Sequence, residues 1–336
     1  MDKKRIDILE KMPVGKAVTT LAIPTIMGMM IQLLYNLADT FFVGKLNDPD
    51  QVAAVSIAMP IFMVVQAAGN IFANGGASYI SRALGRKEYD SASKAAAISF
   101  YSAAALGLMM GIILLIFIKP ILFMAGASEN TFAYAKSYLN VILIFGFVLV
   151  LKITLGGILR SEGATKESMY GMIIGTVANI ILDPLFIFTF KMGVMGAAIA
   201  TVLGNAFGVL YFLFFFSGKR SMLSIAPKNF GFSREIYADI LKIGIPASLN
   251  MVLMSVASAF ANHIASTYGD VVVAATGIVM RTASMAFMLV LGLAVGYQPL
   301  AGYSYGARNY KRMLDAFKVT ALIGTGITLF FTFVFF

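Results

Sequence analysis

The stretch LAIPTIMGMMIQLLYNLADTFFVGKLND, residues 21–48, has a second copy in IGIPASLNMVLMSVASAFANHIASTYGD, residues 243–270. Ile23-Pro24 aligns with Ile245-Pro246 and Asp48 with Asp270, an offset of 222. An offset of 221 then carries Val52-Ala53-Ala54 onto Val273-Ala274-Ala275, Met59 onto Met280, Gly75 onto Gly296, Gly85 onto Gly306, Tyr89 onto Tyr310 and Ala95 onto Ala316. Each copy opens on an apolar run of roughly 20 residues, the length that crosses about 30 Å of hydrocarbon. The unit that repeats is therefore a set of membrane spans.

Composition agrees. Of 336 residues, 59% are hydrophobic and 12% charged, with mean hydropathy +0.85; soluble domains carry about 25% charge. Apolar windows predict nine spans, near 17–39, 52–80, 93–118, 134–157, 168–190, 194–216, 240–263, 272–303 and 316–336. The leading MDKKRIDILEKMPVGK is charged and amphipathic and no small-residue cleavage site follows it, so the first span is retained. There is no cysteine and one histidine, His263, which removes disulfides, thiol chemistry and His-clustered metal sites.

The net charge of +10 is a topological signal. With a cytoplasmic N-terminus, 21 of the 26 Lys and Arg fall in inside segments, Lys152 and Arg160 counted among them, against Lys45, Lys119, Lys136 and Lys191 outside and Arg281 within the eighth span. Nucleic acid is excluded as the partner of this basic excess.

Six spans separate the two copies. An even number returns the second copy to the same orientation, so the fold class is an all-α polytopic membrane protein of two six-helix lobes related by an axis along the membrane normal. The expected division is 1–218 for an N-lobe of six spans and 219–336 for a C-lobe. Carried forward, the period predicts a second half ending near residue 440, about three spans beyond this sequence, so the C-lobe reads as truncated.

Acidic residues within spans are expensive and functional by default. Two occur, Asp39 in the first span and Asp183 in the fifth, both in the outer half of the membrane. Gln32, Tyr35, Asn36 and Asp39 share one helical face, as do Met172, Thr176, Asn179 and Asp183, and Thr201 and Asn205 on the sixth span reach the same depth. These oxygens suit a sodium ion, and the carboxylates suit a proton. Pro184 removes a helical hydrogen bond beside Asp183 and frees the Ile180 carbonyl, which predicts a bending point. His263 is expected at the outer interface, and Arg281 to snorkel or pair. The spacings Gly107/Gly111, Gly171/Gly175, Gly204/Gly208 and Gly292/Gly296 permit close helix contact. The stretches SRALGRKEYDSASKAA (81–96) and GYSYGARNYKRMLDAFK (302–318) read as interfacial helices.

The segments IPTIMGMMIQLLYNLADTFFVGKL (23–46), NIILDP (179–184), GVMGAAIATVLGN (193–205), GRKEYDSA (85–92) and GARNYKRM (306–313) together resemble the prokaryotic branch of the multidrug and toxin extrusion (MATE) family. The resemblance covers the whole chain. It implies two lobes around a central V-shaped cleft and exchange of sodium ions or protons for bulky organic cations by alternating access. It also implies an N-lobe cation site on Asp39, Asn179, Asp183 and Thr201, which would be the metal site were the ion Na+, and substrate contacts at Gln32, Tyr35 and Met172, with Asn36 beside them. The acid that another branch carries in the seventh span has no counterpart here.

The expectation is a multidrug efflux antiporter of a bacterial or archaeal plasma membrane, N-terminus cytoplasmic, with no cofactor beyond the coupling ion. Its partners are organic cation or amphipathic drugs and the lipid bilayer, and it acts as a monomer. Alternatives are a transport-incompetent fragment and an exporter of lipid-like amphipathic cargo. A membrane prenyl transferase is disfavoured, because it would need clustered Asp-rich motifs to hold magnesium and pyrophosphate.

Overall fold

The computed structural model describes the backbone of residues 3–218, 220–266 and 269–335. Among the described residues twelve α-helices follow one another: α1 (Lys3–Glu10), α2 (Val14–Gly44), α3 (Pro49–Gly85), α4 (Tyr89–Ile116), α5 (Ile118–Met124), α6 (Glu129–Ile144), α7 (Gly146–Ser161), α8 (Thr165–Pro184), α9 (Gly193–Ser217), α10 (Arg234–Ser266), α11 (Asp270–Gly306) and α12 (Tyr310–Phe335). Among the described residues, eight helices are long and apolar enough to cross a membrane, or nine with α6 and α7 counted as one span. That pair is bent by 51° at Phe145, directly before Gly146. The single straight span read from hydropathy over 134–157 is thus a broken one, because a local glycine lets the helix turn without losing its apolar character.

The chain repeat is visible in backbone geometry. Lys87 and Arg308, 221 residues apart, both adopt the left-handed region, at φ 64° and 56°. The amide of Lys87 donates to the Leu84 carbonyl and that of Glu88 to Ala83, while Arg308 donates to Tyr305 and Asn309 to Ser304. Both sites form the same helix C-terminal turn, in which left-handed residues recover carbonyls that the helix end leaves free. The two basic stretches are consequently tight turns between α3 and α4 and between α11 and α12, in place of interfacial helices. Each is too short to hold a separate helix between spans that stop at Gly85 and Gly306 and restart at Tyr89 and Tyr310.

Helices α10 and α11 pack on α3 and α2, in the crossed order that the repeat demands: α2 meets α11, and α3 meets α10. Glycines set these crossings, and repeat partners play matching parts. A side-chain carbon built on Gly85 would strike the Tyr303 carbonyl, and one on Gly306 would strike the Arg82 carbonyl. Gly75 lies on the Ile240 carbonyl, Gly244 on Ile71, Gly292 on Ile26 and Gly296 on Ala22. Every one of these approaches lies in the half that the lysine and arginine distribution makes cytoplasmic. In the outer half, Leu34 is 58% exposed, Leu253 65% and Phe260 63%. The closest contacts of α2 with α11 and of α3 with α10 therefore lie on the cytoplasmic side.

Helix α1 is docked at that closed side. Arg5 Nη1 donates to the fully buried Glu162 carboxylate at 2.9 Å, which also accepts from Ser221 Oγ at 2.9 Å and from the Met222 amide at 2.7 Å. Burial pushes the Glu162 carboxyl up to about 7, with Arg5, Ser221 and Met222 pulling the other way. From the far side of the molecule, Arg312 donates to the Leu9 carbonyl at 2.9 Å and the Ile8 carbonyl at 3.2 Å. These are end carbonyls of α1, which otherwise lack helical partners.

Candidate functional site

The site is assembled by a close crossing of α8 and α9. A carbon added to Gly175 would lie 2.8 Å from the Gly204 carbonyl oxygen, and one added to Gly204 would lie 2.6 Å from the Gly175 carbonyl and 2.9 Å from Asn179 Cβ. Gly171 faces the ring of buried Phe212, and Gly208 the Gly171 carbonyl. The two small-residue pairs recognised in sequence are one joint. Small residues let membrane helices approach in this way, and here the approach sets Asn179 on α8 against Gly204 on α9, which lies between Thr201 and Asn205 in sequence.

Helix α2 completes the group. Tyr35 Oη and Thr201 Oγ1 share a hydrogen bond of 3.1 Å across α2 and α9, and Gly28 seats the Met172 thioether of α8. Asp39 is 8% exposed and Asp183 fully buried, and the two carboxylates are close enough to interact electrostatically with each other and with Tyr35 and Tyr138. Asn179 Nδ2 donates to Asp183 Oδ1 at 3.2 Å. Three buried oxygens of the group, Asp39 Oδ1, Asn179 Oδ1 and Asp183 Oδ2, have no hydrogen-bond partner among the described residues. Such atoms are costly unless something binds them. Two carboxylates, a carboxamide and a hydroxyl are hard oxygen donors, suited to a small hard cation or, on the carboxylates, to a proton. Among the described residues no cluster of three or more His, Cys, Asp or Glu exists, so a divalent site of that kind has no counterpart.

Helix α8 ends at Pro184, one residue past Asp183, and Leu185–Thr189 continues as a π-turn. The irregularity stands where the proline withholds its amide.

Beside this oxygen cluster lies a cavity of about 250 Å³ between α2, α3, α7, α8, α9, α10 and α11. Gln32, Tyr35, Met172 and Asn205 line it, together with Met29, Phe62, Gln66, Asn70, Met251, Met288 and Leu291. Asn36 does not: it is exposed, although it shares a sequence-derived face with Gln32 and Tyr35. Two further lining residues escaped the sequence reading. Lys152 and Arg160 of α7 face the cavity rather than a cytoplasmic loop. Their signal was present, since Lys152 falls within the apolar window 134–157, where a charge is a functional candidate. The side chains of His263 and Arg281 lie outside the described residues.

The MatE family model matches residues 24–185 and 246–336. The multidrug export protein MepA of Staphylococcus haemolyticus is 34% identical over 319 residues, covering 95% of this chain and 70% of MepA. Among solved structures, MATE in the straight conformation superposes with a TM-score of 0.92 at 34% identity, over 97% of this chain and 73% of that one. The outward-facing conformation of a multidrug resistance MATE family transporter of the MOP superfamily gives 0.91 at 34% identity, over 97% and 72%.

Proposed function

Because the chain belongs to the MATE family of membrane transporters, we propose that it is a cation-coupled multidrug efflux antiporter, exchanging Na+ or H+ for amphipathic drugs across the cell membrane by alternating access. The observation that carries this reading is the buried trio of unpartnered oxygens, Asp39 Oδ1, Asn179 Oδ1 and Asp183 Oδ2, set beside a cavity wide enough for part of a drug.

In this reading residues 1–218 and 219–336 act as two lobes that part on alternate sides. Asp39, Asn179, Asp183 and Thr201 take the ion, with the Tyr35 hydroxyl positioning Thr201. Entry of a positive charge from the outward-open side cancels the repulsion of the two carboxylates and lets α2, α8 and α9 draw together. The movement narrows the neighbouring wall formed by Gln32, Tyr35 and Met172 and expels the drug outward. Pro184 and the π-turn supply the soft point at which α8 bends. Coupling exists because ion and drug each bind the two states with different affinity; a ligand indifferent to the states would shift nothing.

The test is efflux from vesicles. Reconstituted protein should release a preloaded drug when a sodium or proton gradient is imposed, and Asp183→Asn should abolish the ion dependence. Undiminished ion-driven efflux by that variant would sink the assignment, and separate sodium and proton gradients identify the ion.

A further inference from the structure

Among the described residues, Lys152 and Arg160 are the charged groups on the wall of the central cavity, and both are cationic. They stand on α7 eight residues apart, about two helical turns, so they project to the same side at different depths. Lys152 Nζ donates to Asn205 Oδ1 at 2.9 Å and Arg160 Nη1 to Ser168 Oγ at 3.2 Å. Both acceptors are neutral. Among the described residues neither cation has a carboxylate within ion-pair distance, and Asp39 and Asp183 are absent from the wall.

A charge at membrane depth normally pairs with its opposite or marks a ligand path. A lysine point charge and an arginine fork, desolvated together, match an oxyanion and hold it by charge-assisted hydrogen bonds. The rest of the wall is adaptable and apolar: Met29, Met172, Met251 and Met288, with Phe62 and Phe212. Flexible thioethers and aromatic faces accommodate varied hydrocarbon bodies. From this juxtaposition we infer that the central cavity binds amphipathic molecules bearing a carboxylate or phosphate, anionic or zwitterionic, with the oxyanion drawn into the positive field that Lys152 and Arg160 set up together and the apolar body on the methionine wall. The inference rests on the transport reading and narrows its substrate class: a cationic drug enters this cavity favourably when it also carries an acid.

Direct binding to the purified full chain in a neutral detergent tests it without an ion gradient. The probes are 11-(dansylamino)undecanoic acid, its methyl ester and the corresponding terminal amine, which share one apolar body. The acid should bind at least about tenfold more tightly than the ester, and the amine more weakly than either. Lys152→Met and Arg160→Gln should each weaken that preference, and the double variant erase it, while leaving ester affinity within about twofold of the parent, which also reports an intact cavity. Lys152→Arg, retaining the charge, should keep the preference.

Competition separates the sources of the anion. Displacement of the probe by lysophosphatidylglycerol points to a lipid headgroup and displacement by dodecanoate to a carboxylate amphiphile; either supports the inference. Inorganic phosphate competing as well as these amphiphiles would overturn it, as would an amine that binds as tightly as the acid, or unchanged acid affinity in both charge-removing variants. Loss of ion-driven efflux in Asp183→Asn leaves this outcome untouched, so the transport reading and the anion site fail separately.

Discussion

Gly306→Ala should loosen the cytoplasmic seal. A methyl carbon at residue 306 would strike the Arg82 carbonyl oxygen and lie 2.9 Å from its carbon and 3.0 Å from Arg82 Cα. All three atoms are backbone of a packed helix, so no rotamer change relieves the overlap, and the helices must separate. Overpacking of this kind costs about 1–3 kcal/mol. The cost falls on the state in which α3 and α11 cross closely and is absent once they part, so it multiplies the open population by roughly 5–150. The chain has no cysteine, which makes a single introduced thiol a clean reporter. Ser81 is 1% exposed and packs on Gly302 in the same seam; maleimide labelling of Ser81→Cys should quicken by that factor when Gly306→Ala is added. Gly44→Ala, where nothing lies within 4 Å, should leave the rate alone. An unchanged labelling rate in the Gly306→Ala background would refute the argument that glycine contact holds this side shut.

Other consequences are as specific. Glu162 keeps its proton in the fold up to about 7, above the ordinary value of 4.5, so the folded protein binds more protons than the unfolded chain between these values. Its contribution is present in full below about 4.5 and is lost as pH rises through 7; thermal midpoints should fall across that window in the parent and lack this component in Glu162→Gln, and equal slopes would disprove it. Gly204→Ala should spread α8 from α9, because the new carbon sits 2.6 Å from the Gly175 carbonyl; sodium- or proton-dependent efflux should drop at least tenfold while the protein still inserts, and parental efflux would contradict the joint's role. Tyr35→Phe removes the hydroxyl bonded to Thr201; the loss should raise the ion concentration for half-maximal efflux severalfold, a change that substrate titration alone would not reproduce.

Much of this was legible in the chain. Apolar windows locate the spans, and the repeat relates Gly85 to Gly306 and Gly75 to Gly296 before any contact is known. Helical phase gathers Tyr35, Asp39, Asn179 and Asp183 because a regular helix preserves its period from sequence into space. The misplaced parts share one cause, which is that they depend on a bend or a docking that no local period records. The break at Phe145 leaves hydropathy unaltered, yet α7 beyond it carries Lys152 and Arg160 along the cavity. Asn36 fits the polar face by period alone, but the width of that face exceeds what neighbouring helices cover. The turns at 85–89 and 306–310 contain enough charge to imitate amphipathic helices, while a single left-handed residue in each ends the matter.

The carboxylate of Glu162 has a bearing on how the molecule is made. Helix α1 is synthesised well before the groups that hold it: Glu162, then Tyr303, which donates to Glu10, and finally Arg312, whose bond to Ile8 spans 304 residues. At about 5–20 residues per second, roughly 15–60 s separate the emergence of α1 from that of its last clasp. During that interval a short charged helix must wait at the membrane surface while the spans are threaded one after another. Its docking is then a late event of biogenesis, completed only when a span translated some 300 residues downstream has arrived, and a ribosome stalled before Arg312 would leave the cytoplasmic face unfastened.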